Sequence, residues 1–92
     1  MKIGGTIYLL QSLNGKHRYL GVTSDLQSRL IEHTRGSTQT TRDKGPWRLL
    51  QCWHFDSLQR AKQIEYKIKK MKHKLTVEYV TYIIDRLERP AE

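Results

Sequence analysis

Asn14-Gly15 lies between two runs of strand-forming residues, Thr6-Ile7-Tyr8-Leu9-Leu10 and Tyr19-Leu20-Gly21-Val22-Thr23. β-branched and aromatic side chains suit the pleated, half-buried surface of a sheet. Asn-Gly is the pair that best tolerates the positive φ angles of a type I′ turn, whose twist matches that of paired strands. The two runs are therefore expected to fold back as an antiparallel hairpin. The rest of the chain must cover it.

The cover can be read downstream. Ser24-Asp25-Leu26-Gln27 fits a capping box, with Ser24 on an early backbone N–H and Gln27 reaching back. Leu26 and Leu30 have helical spacing, and Gly36 is a suitable stop. The polar stretch from Gly36 to Pro46 reads as a long exposed loop. Trp47 to Phe55 reads as a third strand. Asp56 or Ser57 caps a second helix, whose apolar stripe is Leu58, Ala61, Ile64, Ile68 and Met71. Thr76 caps a third helix, with Val80, Ile83, Ile84 and Leu87 on its buried face and Pro90 at its end. The predicted order is strand, strand, helix, strand, helix, helix. It makes an α+β fold, a small three-stranded antiparallel sheet flanked by helices. At 92 residues, with no internal repeat or linker, the chain is expected to be one domain.

Charge narrows the partners. Seventeen Lys and Arg against nine Asp and Glu leave a net charge of +8. Such an excess favours a polyanion, either nucleic acid or an anionic membrane surface. The basic helix lacks the Trp or Phe face that enters a bilayer interface, and no apolar run approaches the roughly 18–20 residues of a membrane span. Nucleic acid is the better reading. Between Arg60 and Lys74 there are seven basic side chains and one acidic one, Glu65. Beyond Leu75 acidic side chains outnumber basic ones, so the polyanion should meet the middle of the chain. Cys52 is the single cysteine, which excludes an intrachain disulfide and a cysteine-built metal site. It is expected to be a small buried hydrophobe. The first five residues carry no apolar stretch of a secretory signal, and a cytoplasmic location is expected.

The hairpin and helices gather a set of polar residues. Tyr8 and Tyr19 lie on paired strands, Arg29 and His33 are four apart on one helix face, and Glu65 borders the second stripe. Two phenols, a guanidinium, an imidazole and a carboxylate can serve phosphodiester cleavage. A carboxylate can hold a hard divalent cation, Arg can neutralise charge on a phosphate, and Tyr or His can relay a proton. Each also has a plainer reading: strand aromatics, a solvated helix face, and an i,i+4 pair of Glu65 with Lys69. His17, His54 and His73 read as surface or structural, and Trp47 and Trp53 as packing.

Taken in order, these residues resemble the GIY-YIG nuclease domain. Its first signature appears as Thr6-Ile7-Tyr8 and its second as Tyr19-Leu20-Gly21. Gly21-Val22-Thr23-Ser24-Asp25-Leu26 follows, then Arg29 and His33, and later Glu65-Tyr66-Lys67-Ile68-Lys69. The likeness runs from about residue 6 to about residue 74, and several ordered motifs are far more specific than one.

The resemblance implies a role for each matched residue. Tyr8 would help activate the attacking water, and Tyr19 would contact the scissile phosphate or a metal-bound water. Arg29 would stabilise the pentavalent transition state. His33 would assist proton transfer or phosphate contact, and Glu65 would be the single protein ligand of one Mg²⁺ or Mn²⁺ ion. Some relatives carry a further Asn after that Glu; the only Asn here is Asn14, in the hairpin turn. The resemblance is to the small stand-alone members. Target choice would then come from the domain itself, a homodimer or a separate partner. Arg42, Lys44, Lys62, Lys67, Lys69 and Lys70 are the expected nucleic-acid contacts, with DNA the expected substrate. Phosphate contacts position a strand but do not read its sequence, so selection by structure and strong salt dependence are expected. The alternative is a catalytically weak or inactive nucleic-acid-binding module, accessory to a repair complex.

Overall fold

The computed structural model describes residues 3–34 and 46–88. Strand β1 (Gly5–Ser12) is central, flanked by β2 (Arg18–Thr23) and β3 (Trp47–Phe55), both antiparallel to it. Helix α1 (Leu26–Thr34) follows β2, and α2 (Leu58–Lys70) and α3 (Val77–Glu88) follow β3. The expected order of elements and the α+β class both hold. The predicted stop at Gly36, the body of the predicted loop with Arg42 and Lys44, and Pro90 lie outside the described residues.

Side chains alternate across a strand. Ile7 and Leu9 of β1 and Leu20 of β2 therefore share one face, where Ala61, Ile64 and Ile68 of α2 and Val80, Ile83 and Ile84 of α3 close the core. Tyr8 and Leu10 alternate with them, and both are buried. Because β1 is buried on both faces, it is the fixed frame of the molecule. Tyr8 stands opposite Gly21 of β2 and Cys52 of β3. Leu10 stands opposite Tyr19, which puts the two tyrosines on one face.

Four local expectations are corrected. The hairpin connection is not a type I′ turn. That turn needs positive φ at two residues, and here only Gly15 has it, at 77°. The Asn14 carboxamide instead accepts from the Lys16 N–H at 2.9 Å and the Ser12 hydroxyl at 2.6 Å. Those bonds hold a longer loop, closed by Ser12 N–H donating to His17 O. The cap of α1 is Asp25, not Ser24. Its Oδ1 accepts from the Ser28 N–H at 3.2 Å, and its Oδ2 from the Ser28 hydroxyl at 2.9 Å. These bonds hold the Asp25 carboxyl below its ordinary pKa. Met71 is exposed because α2 ends at Lys70 and Lys72 turns left-handed at φ 51°. Its sulfur accepts from the Tyr79 hydroxyl instead. Cys52 is half-buried rather than buried, since β3 is an edge strand.

The other caps form as expected. Ser57 Oγ accepts from the Arg60 N–H at 3.2 Å, and Thr76 Oγ1 from the Tyr79 N–H at 3.0 Å.

Candidate active site

Antiparallel register places Tyr8 and Tyr19 on one face, and α1 returns over that face. The capped first turn of α1 sets its axis, and His33, two turns further on, is buried against the tyrosines. Tyr8 Oη and His33 Nε2 are 2.9 Å apart, in a buried hydrogen bond between residues 25 apart in sequence. The rings of Tyr8, Tyr19 and His33 form a triangle with centroid separations of 6.2, 5.7 and 5.3 Å. Trp47 of β3 packs edge-on against Tyr19 at 6.5 Å.

Gly21 makes this packing possible. A Cβ there would overlap the Tyr8 ring at Cζ and Oη and stand 2.8 Å from Tyr19 Cε1. The glycine of the second signature is thus the floor on which the tyrosine of the first one lies.

Burial decides the protonation states. It is the main cause that raises the Tyr8 phenol far above its ordinary value, with Tyr19 next and Glu65 adding to it, against a lowering by Arg29. Burial also lowers the His33 imidazole below its ordinary 6.5, and the Arg29 guanidinium lowers it further. At neutral pH the pair is therefore a protonated phenol and an uncharged imidazole. With the ring proton on Nδ1, the phenol donates to Nε2.

The charged members stand around this pair. Arg29 Nη1 is 3.1 Å from Glu32 Oε2, one helical turn on, and about 40% of the Arg29 side chain is exposed. Glu65 Oε1 is 3.3 Å from Lys69 Nζ, and only 16% of the Glu65 side chain is exposed. The Lys69 ammonium also lies 5.2 Å from the centroid of the Tyr19 ring. Tyr8, Tyr19, Arg29, His33, Glu65 and Lys69 are thus one cluster, drawn from β1, β2, α1 and α2. Lys62, Lys67 and Lys70 are exposed along α2, and Lys70 stacks on Tyr66 instead.

Two neighbours of the cluster, Glu32 beside Arg29 and Trp47 beside Tyr19, were not among the expected site residues. Glu32 was legible as an i,i+3 partner of Arg29. Trp47 was expected to pack, but that it packs on Tyr19 depends on how β3 sits beside β1.

The donor set is compatible with a hard divalent ion. Glu65 offers one carboxylate, on a mostly buried side chain, that already faces a cation. Among the described residues no three His, Cys, Asp or Glu side chains gather into a cage. One carboxylate suits an ion such as Mg²⁺ that keeps most of its waters.

Comparison with known proteins adds to this geometry. Residues 4–79 match the model of the GIY-YIG catalytic domain. A UPF0213 protein of Halalkalibacterium halodurans is 36% identical over 64 residues, 68% of this chain and 67% of its own length. A UPF0213 protein of Nitratidesulfovibrio vulgaris is 37% identical over 65 residues, 70% of this chain. The chain spans 58% of that relative's length. The solution NMR structure of a UPF0213 protein from Bacillus halodurans superposes with a TM-score of 0.46 at 29% identity, over 89% of this chain and 83% of its own. The match to the family model covers most of the molecule, from the start of the sheet into α3, and includes every residue of the cluster: the chain belongs to the GIY-YIG catalytic domain family.

Proposed function

We propose that the protein is a metal-dependent endonuclease that hydrolyses phosphodiester bonds in DNA. Its targets are chosen by structure rather than by sequence, in repair, recombination or related processing. The buried hydrogen bond between Tyr8 and His33 carries the reading. A phenol whose pKa is raised is a poor base alone. Beside a neutral imidazole it becomes a relay: as water attacks phosphorus, Tyr8 takes the water's proton and passes its own to His33 Nε2. The oxygen opposite the attacking water leaves and is protonated by solvent. Tyr19, whose ring adjoins those of Tyr8 and His33, would touch the phosphate.

Arg29 meets the charge that grows on the phosphate oxygens, exchanging Glu32 for substrate. Glu65 would hold the Mg²⁺ or Mn²⁺ ion. Charge neutralisation at the phosphate and the departing oxygen is the chemistry such an ion supplies when bound. The lysines of α2 supply phosphate contacts without base readout.

The test compares the wild type with Glu65→Ala on single-stranded, duplex, flap and branched DNA, with Mg²⁺, Mn²⁺ or EDTA, at low salt. Cleavage that needs the ion and disappears in the variant is the expected result. Salt-sensitive binding without cleavage on any substrate would leave only a binding module. That second reading has its own support, because Arg29 and Glu65 are each already paired within the protein.

The relay also sets a pH dependence. Protonated His33 has no acceptor at Nε2, so cleavage should fall as pH drops through the His33 pKa. Because burial and Arg29 lower that value, the acid limb should lie below pH 6.5, the ordinary histidine value. No loss is expected near neutral pH from Tyr8, since its ionisation is displaced upward. A rate profile from mildly acidic to mildly alkaline pH checks this; an acid limb centred above 6.5 would contradict the relay.

A further inference from the structure

Lys69 belongs to a helix rich in lysines, yet its surroundings differ from theirs. Its ammonium is 3.3 Å from Glu65 Oε1 and lies over the Tyr19 ring at 5.2 Å. It thereby joins the one carboxylate of the cluster to a phenol on β2. The neighbouring Lys70 has the same charge and the same helix but lies over Tyr66.

An exposed i,i+4 pair on a helix needs no further explanation. This pair is different on two counts. The Glu65 side chain is mostly withdrawn from solvent, at 16% exposure, while the Lys69 side chain is 45% exposed. The carboxylate is therefore the fixed partner and the long lysine stem the movable one. A carboxylate in partial burial is costly without a counter-charge. An ion that takes Glu65 must either displace the ammonium or endure a like charge a few ångströms away.

We propose that Lys69 is the internal counter-cation of Glu65: its ammonium occupies the carboxylate in the absence of a divalent ion and leaves it when the ion binds. The inference rests on the proposed role of Glu65 as ion ligand. Lys69 is then a positioning residue, since it acts through Glu65 and Tyr19. When it leaves, its freed ammonium lies beside Tyr19, where a phosphate of the bound strand can receive it. Ion loading and strand binding would thus favour one another, because each is helped by breaking the same pair.

The experiment measures Mn²⁺ affinity without nucleic acid, from the free-ion signal in electron paramagnetic resonance. It uses the wild type, Lys69→Met, Lys69→Arg, Lys70→Met and Glu65→Gln. Circular dichroism confirms that each folds. Lys69→Met should bind Mn²⁺ about three- to fivefold more tightly than wild type, the size expected for loss of a half-exposed ion pair. Lys69→Arg should stay near wild type, because the competing charge is kept. Lys70→Met removes one charge from the same helix and should change affinity little. Glu65→Gln should abolish the tight site.

Equal affinities in wild type and Lys69→Met overturn the proposal. So does an equal gain in Lys70→Met, which would reduce the effect to net charge. A Mn²⁺ site unaffected by Glu65→Gln also overturns it and removes the ion from Glu65. None of these results depends on DNA cleavage, which the substrate panel reads separately.

Discussion

Arg29→Ala should lower the cleavage rate about 10²–10³-fold, the usual cost of losing a preorganised charge stabiliser, while leaving the fold intact. The two halves of that expectation come from different observations. Arg29 is about 40% exposed, and its visible partner is Glu32 on the same exposed helix face, at 3.1 Å. Such a pair contributes about 0–1 kcal/mol to stability, so the denaturation midpoint should barely move.

The guanidinium would also act on the proposed relay, because it lowers the imidazole of His33 and the phenol of Tyr8. Removing it lets the His33 pKa rise, and the acid limb of the rate profile should shift toward higher pH. Glu32→Gln supplies the contrast. It releases Arg29 without removing it, so cleavage should be kept. Near-wild-type turnover by Arg29→Ala, with an unmoved acid limb, would remove Arg29 from the reaction.

The sheet was readable because β1 and β2 are strongly patterned and one turn pair lies between them. Ser57 and Thr76 were readable as caps because each precedes an apolar stripe by the right interval. The details that failed are those in which near-equivalent partners compete over a few residues. Ser24 and Asp25 can both cap a helix. Asp25 prevails because Ser28 donates to it twice. Asn14 could have taken positive φ, but its carboxamide holds the loop by hydrogen bonds instead.

The cluster was readable only as an ordered set of motifs, since a tyrosine on a strand or a glutamate before a lysine has an ordinary explanation. What no spacing could supply is contact across elements. The Tyr8–His33 hydrogen bond, the edge of Trp47 on Tyr19 and the place of Lys69 over Tyr19 all depend on how separate elements meet.

Gly21→Ala should be strongly damaging, with a sign opposite to the usual one. A glycine in a strand interior ordinarily weakens it, so alanine there commonly helps by a few tenths to about 1 kcal/mol. Here the new methyl group meets the Tyr8 ring at Cζ and Oη, and Tyr19 Cε1 at 2.8 Å. The Tyr8 ring cannot simply turn away. It is buried, its hydroxyl is bonded to His33, and its strand is the central one. Overpacking of this kind costs about 1–3 kcal/mol. Because the ring that must move is the proposed relay, the activity should fall further than the stability. A displacement of about 1 Å at a reacting group can cost about 10²-fold in rate.

A double-substitution cycle separates clash from general damage. In a Tyr8→Ala background the obstacle at Cζ and Oη is gone, so Gly21→Ala should destabilise much less than it does alone. Additive losses in the denaturation midpoints would mean that Gly21 is needed for something other than the tyrosine above it. Strong non-additivity would make the glycine of one signature and the tyrosine of the other a single structural unit.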